Sequence, residues 1–312
     1  DPRFRGDDTG KVKNQITKGN WAVTRLIKVD EKTRTIYFMA NGQDKLNPYF
    51  GHFYKIGFDG KKLTDLTPEP GNHMVSFSPS EKYFIDNYSQ PNVPAVVALR
   101  DINGKLITEL AKTDVSRLSA TGWKAPTPVS VKANDGKTDI YGLIFTPNKM
   151  EAGKKYPVID YIYPGPQGGS VGFWSFSASR GGHQALAELG FIVVAIEGSC
   201  NPGRSKAFHD ECYGNMSVNT LPDQISGMEQ LAKRYPYIDL EQVGIWGGLG
   251  EVADGLLGEA GLAHPGRSAQ HDTPGDGEER LERRHLLRPS DEAPPVTPED
   301  PLLPHTFSTA SV

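Results

Sequence analysis

The stretch Val243-Gly-Ile-Trp-Gly-Gly-Leu-Gly250 decides how this chain is read. Its first half is an apolar strand and its second half a run of glycines, the make-up of a strand that turns sharply into a helix. Glycines at such a turn let the backbone pass where a Cβ would not fit. When the pattern is Gly-x-Ser-x-Gly, the turn exposes a serine hydroxyl as a nucleophile above a sheet. Here it reads Gly247-Gly248-Leu249-Gly250-Glu251, with leucine in the nucleophile position. A leucine side chain cannot attack a carbonyl, so the frame of a covalent catalyst stands without its reacting atom.

Upstream of the turn, strand-like and helix-like runs alternate. Pro157-Val-Ile-Asp-Tyr-Ile-Tyr163 predicts a strand leading into the turn Pro164-Gly-Pro-Gln-Gly-Gly169. Gly190-Phe-Ile-Val-Val-Ala-Ile196 predicts a second, apolar throughout as a strand covered on both faces should be. Leu221–Arg234 has Ile225, Met228, Leu231 and Ala232 at helical spacing, and Asp239–Trp246 is the third strand. Such alternation implies βαβ units and a parallel sheet. Val129–Lys132 and Ile140–Phe145 read as an antiparallel pair at its edge.

Residues 17–115 have a different rhythm. Short β-rich runs (Trp21–Ile27, Thr35–Met39, His52–Ile56, Met74–Phe77, Tyr83–Ile85, Ala95–Leu99) are separated by Asn41-Gly42, Asp59-Gly60, Pro70-Gly71 and Asn103-Gly104. These dipeptides are turn signals, and strands at this spacing suit propeller blades or a β-sandwich.

Taken in order, Thr17-Lys-Gly-Asn-Trp21, Asn72–Pro79, Tyr141–Pro147, Lys155–Pro166, Asn215–Gln224 with Pro222-Asp-Gln224, and Val243–Gly247 resemble the prolyl oligopeptidase superfamily. Within it they are most similar to the dipeptidyl peptidase IV-like enzymes, over roughly residues 11 to 248. The resemblance implies all-β partial propeller blades over residues 1–115. It implies the first half of an α/β-hydrolase domain, an incomplete and mostly parallel sheet, over 120–249, and an unrelated disordered tail over 250–312. It implies a serine peptidase that releases amino-terminal dipeptides, with peptide substrates, no cofactor and no metal. Oligomerisation and compartment stay open; such enzymes are often exported, periplasmic or membrane-anchored.

By that resemblance Tyr163 is the phenol that donates a hydrogen bond to the oxyanion of the tetrahedral intermediate, and the backbone N–H of Gly250 is the second donor. Leu249 occupies the nucleophile position. The aspartate and histidine of a triad follow the serine in this family, and the tail supplies neither: His264, His271, His285 and His305 lie in no matching context. The chain is therefore expected to be inactive. The alternative is a non-catalytic binding protein that keeps the two folds, and a hydrolase using Ser268 is remote. In the loop Glu197-Gly-Ser-Cys-Asn-Pro-Gly-Arg204, Ser199 and Cys200 stand where the family often has arginine and glycine. Arg204 is a substitute for that arginine or, as the preferred reading, a surface residue.

Composition excludes some classes. A net charge of −4 over 312 residues, with no basic block, argues against nucleic acid. No apolar run is long enough to span a bilayer, and no signal-peptide pattern opens the chain, which starts at Asp1 as a fragment would. The two cysteines, Cys200 and Cys212, read as unpaired small side chains, with a short disulfide as the alternative. A metal site from His209, Asp210 and Cys212 has no second cluster to complete it. After Gly250 lysine and isoleucine vanish, arginine and proline take over, and Phe307 is the single aromatic. Such a segment buries little, with Glu278–Leu287 at most a marginal helix, and reads as the product of a reading-frame shift near Gly248 or as a natural unstructured extension.

Overall fold

Tight turns and period-two patterning build the first part of the molecule from hairpins. The computed structural model describes residues 4–6, 11–163, 166–213 and 220–247, all within one compact unit, Asp1–Gly266. A small antiparallel pair, β1 (Phe4–Gly6) and β2 (Val12–Gln15), comes first. β3 (Ala22–Asp30), β4 (Thr35–Asn41), β5 (His52–Gly57) and β6 (Thr64–Asp65) then form a four-stranded antiparallel meander. β7 (Asn72–Phe77), β8 (Tyr83–Gln90), β9 (Val93–Asp101) and β10 (Leu106–Lys112) form a second one.

Alternation along the strands gives the first meander two apolar faces. Phe38, Ala40, Tyr54 and Ile56 pack with Trp21 on one side. On the other, Tyr37, Met39 and Phe53 meet Phe84, Val75 and Phe77 of the second meander, so the two sheets stack as propeller-like blades do. Beside this apolar contact lies a buried polar one. His52 Nε2 is 2.9 Å from Asp44 Oδ2, and His73 Nδ1 is 2.8 Å from Asp86 Oδ1. The two imidazoles lie 4.8 Å apart, centroid to centroid. Arg100 donates from Nε to Asp86 Oδ2 at 2.9 Å and also pairs with Glu69.

The second part is a five-stranded mixed sheet in the order β11 (Thr127–Lys132), β12 (Asp139–Phe145), β14 (Ile192–Ile196), β13 (Tyr156–Ile162), β15 (Ile238–Gly247). β11, β12 and β14 pair antiparallel, whereas β13 runs parallel to both its neighbours. The three strands expected around the turn therefore share one sheet. β14 is buried along its whole length, as its apolar sequence requires. Short helices α1 (Ser116–Ser119), α2 (His183–Glu188) and α3 (Lys206–His209) and the longer α4 (Thr220–Arg234) are also present, so the described residues are mostly β with few helices. No described helix is long and apolar enough to cross a membrane.

Two details depart from expectation. The two-residue β6 and the fully exposed β10 carry no periodic apolar signal, because neither has a face to bury. In α4 the spacing Ile225, Met228, Leu231, Ala232 misplaces the buried stripe. Ile225 is 45 % exposed, and the buried positions are Asp223, Gln224, Gly227, Met228 and Leu231. Polar side chains can line a buried helix face when the sheet beneath offers them hydrogen bonds.

Candidate active site

Tyr163 follows β13 directly, beside the end of β15, where Tyr161 is paired with Trp246 and Ile162 with Gly247. A Cβ at Gly247 would overlap the carbonyl of Ile162, so the first glycine of the turn is required by the close approach of the two strands. Loops at the carboxyl ends of parallel strands are where α/β sheets gather their sites. The Tyr163 N–H donates to Ser170 Oγ at 3.1 Å, and its ring lies close to Gly168, where a Cβ would meet it at 3.3 Å. Below it Tyr161 touches His183 (centroids 4.3 Å apart) and Trp246 (5.5 Å). Leu249, Gly250, Ser268, His264, His271, His285 and His305 all lie outside the described residues.

One strand away, β14 delivers Glu197 into the same neighbourhood. Its N–H donates to Tyr141 O at 2.8 Å, and Oε1 accepts from Val171 N–H at 3.1 Å. Oε2 is buried without a partner. Burial pushes this carboxyl up to about 7, opposed by the amides of Val171 and Ser170. Gly169 packs directly on it: a Cβ there would overlap the carboxylate unless the side chain shifted. On the other face of the sheet Asp160 is wholly buried, Oδ1 has no partner, and burial alone pushes it up to about 7.

Two expectations for this loop are corrected. Arg204 is not a free surface arginine: it is partly buried, donates to Asp139 O at 2.6 Å and lies over the Phe208 ring at 4.5 Å. Among the described residues it forms no ion pair with Glu197. Cys200 and Cys212 are not unpaired, because α3 and a single 3₁₀ turn fold the stretch back until their Cα atoms lie 5.6 Å apart and a disulfide closes it. Cys212 is therefore no metal ligand, and His209 turns its Nε2 to Pro166 O at 2.9 Å.

Sequence reasoning quoted Pro222-Asp-Gln224 as a signature without assigning it work. Asp223 accepts Ser199 N–H at 2.7 Å and Asn134 N–H at 2.8 Å, and Gln224 donates to Ile196 O at 2.9 Å. The pair fixes the end of β14, and with it Glu197, from below. The only available hint was two polar residues beside an apolar helical stripe. The four described histidines offer no base at this site: His52 and His73 pair with blade carboxylates, His183 lies among aromatic rings and His209 meets a carbonyl.

Residues 4–95 match the dipeptidyl peptidase IV (DPP IV) N-terminal region, and residues 174–248 match the prolyl oligopeptidase family. The chain is 31% identical over 246 residues to dipeptidyl peptidase 8 of Homo sapiens, covering 74% of this chain and 27% of that protein. It is 28% identical over 244 residues to dipeptidyl-aminopeptidase B of Aspergillus niger, covering 74% and 26% respectively. Among solved structures, dipeptidyl peptidase 4 of Porphyromonas gingivalis superposes with a TM-score of 0.64 at 25% identity, over 78% of this chain and 34% of that one. The chain thus spans about a quarter of the length of the curated relatives it matches.

Proposed function

We propose, for a chain that belongs to the dipeptidyl peptidase IV-like branch of the prolyl oligopeptidase family, a lineage of serine peptidases that release amino-terminal dipeptides. In this reading residues 1–115 are the last blades of a propeller, 120–249 are the first half of an α/β-hydrolase domain, and 250–312 are foreign to both. The observation that carries it is Tyr163 at the carboxyl end of β13, one position past the Ile162–Gly247 pair that leads into the turn. A phenol there donates a neutral hydrogen bond to an oxyanion forming above the turn, and the N–H of Gly250 is the second donor.

The polypeptide itself is a poor catalyst in this proposal. Leu249 supplies no nucleophile, and a serine without a positioned base is weakly nucleophilic at neutral pH. An oxyanion hole acts only on a carbonyl that is attacked and held in place. The alternative, a binding protein on a catalytically silent frame, is supported by the same leucine. Turnover of an Xaa-Pro chromogenic dipeptide is expected to be undetectable for the wild type and for Leu249→Ser. Substantial turnover by Leu249→Ser that collapses in Leu249→Ser/Tyr163→Phe would reveal a base and overturn the inactive reading. Labelling of the wild type by a fluorophosphonate would do the same. The nucleotide sequence around codon 248 tests the origin of the tail: a one-base change that restores Gly-x-Ser-x-Gly marks a frame shift.

A further inference from the structure

Besides the burial of Val171 in the core with Leu143 and Trp174 and the Arg180 bond to Phe173 O, the loop that seats Tyr163 takes three side-chain hydrogen bonds from one other segment. His209 Nε2 meets Pro166 O at 2.9 Å, Asn201 Nδ2 donates to Gly168 O at 2.6 Å, and Glu197 Oε1 accepts the Val171 N–H at 3.1 Å. Between these anchors stands Ser170, whose Oγ receives the Tyr163 N–H. All three holding side chains belong to residues 197–212, where regular structure is limited to α3 and the 3₁₀ turn Asp210–Cys212. A stretch this short and irregular samples many conformations unless its ends are joined. The Cys200–Cys212 disulfide joins them, with Asn201 and His209 inside the closed loop.

The two ends of the stretch are secured differently. Glu197 and Ser199 are held by Tyr141, Asp223 and the end of β14, independently of the cysteines. Asn201 directly follows Cys200, which has a left-handed backbone with φ of 70°. A non-glycine residue in that region needs surrounding structure to hold it. Beyond it, Arg204 on Asp139 O, the buried Phe208 and a hydrogen bond between Glu211 and Ser199 are further ties.

We propose that the Cys200–Cys212 disulfide is the clamp that positions the Tyr163 loop, so that the posture of Tyr163 depends on the chain having been oxidised. The meaning attached to Tyr163 rests on the function proposed above; the clamp itself does not. Closure needs a disulfide oxidant of the glutathione class. One cysteine thiolate attacks it, forming a mixed disulfide and releasing one small thiol. The second thiolate then displaces the other small thiol, so two cysteine thiols lose two protons and two electrons and one oxidant yields two thiols.

The test compares the full chain oxidised with glutathione disulfide and the same chain folded and kept in dithiothreitol, by peptide-resolved hydrogen exchange with thiol labelling to confirm each state. Exchange across residues 163–173 is expected to be about tenfold or more faster in the reduced chain, with residues 156–162 and 192–196 equally protected in both. Asn201→Ala in the oxidised chain should speed the same peptide, with reduction then adding only the part carried by His209 on Pro166 O. Equal exchange at 163–173 in the two redox states, with both sheet peptides protected, overturns the clamp. Loss of protection throughout the reduced chain also overturns it, since the bond would then hold the fold and not this loop. The readout is exchange and not turnover, so failure of the clamp leaves the peptidase reading to its own assay, and failure of that assay leaves the clamp standing.

Discussion

The blades and the five-stranded sheet bury charge in opposite ways. In the blades the buried ionisable side chains of the cluster sit acid beside base: His52 by Asp44, with Asp65 at 3.5 Å, His73 by Asp86, and Arg100 by Asp86 and Glu69. In the sheet Asp160 and Glu197 are buried without counter-ions, each with one oxygen unpartnered. Removing a charge from water costs several kcal/mol per ion unless a partner offsets it. The cluster thus pairs its acids and bases within each blade, whereas burial pushes the two carboxyls up toward their protonated form. Unpartnered carboxyls with raised pKa cluster at functional sites more often than elsewhere, and Glu197 lies under the Tyr163 loop.

The largest effect should come from breaking the paired side of this contrast. Arg100→Leu leaves Asp86 buried beside His73 without its guanidinium and is expected to cost about 3–5 kcal/mol of stability, read as a fall in urea midpoint. A loss under about 1 kcal/mol would mean that the cluster is solvated in solution.

The unpaired side should respond with the opposite sign. Asp160→Asn removes a charge that burial resists and is expected to raise stability at pH 8 by about 2 kcal/mol. That is roughly half of what a shift from 3.8 to about 7 allows, because an amide still leaves one oxygen unpartnered. At pH 4 the same substitution should be close to neutral. Equal effects at both pH values would show that the carboxyl is ionised throughout.

The two regions should also differ in pH window. A carboxyl raised on folding contributes fully below its unfolded pKa and loses that contribution as pH climbs, so Asp160 and Glu197 weaken the sheet between about pH 4 and 7. Burial pulls the His52 imidazole down, but the hydrogen bond to Asp44 and the charge of Asp65 outweigh it, and the net shift is upward. Geometry agrees: His52 Nδ1 lies 2.6 Å from Thr67 O and Nε2 faces a carboxylate, two acceptors that only an imidazolium can serve together. The contribution of His52 is therefore complete below about pH 6.5 and lost as pH rises through its higher folded value. Peptide-resolved hydrogen exchange, corrected for intrinsic rates, should show residues 52–57 and 64–67 loosening only on the alkaline side.

The smallest effect belongs to Ile225→Ser. Since Ile225 faces solvent, the substitution is expected to change stability by no more than about 0.5 kcal/mol, although helical spacing alone would place it in the core. A loss of about 2 kcal/mol would reinstate the stripe read from the sequence.

Periodicity within a few neighbouring residues was enough to place β14, the helix Thr220–Arg234, most blade strands, and Tyr163 at the end of β13, because strand and helix formation depends on which side chains alternate over one or two turns. The leucine at position 249 was equally plain, since side-chain chemistry needs no coordinates. Other features depend on how segments far apart in the chain come together. The disulfide follows from a fold-back that no spacing rule predicts, and Arg204 is covered only because Asp139 and Phe208 meet it. The Glu197 carboxyl is covered by the loop that passes it at Gly169, which leaves Oε2 without a partner. The buried face of α4 was decided by what the sheet offered it: the carbonyl of Ile196 to Gln224 and the N–H of Ser199 to Asp223. Hydrogen bonds and desolvation act through space, so tertiary structure alone determined which polar groups were paired and which were left to shift their pKa.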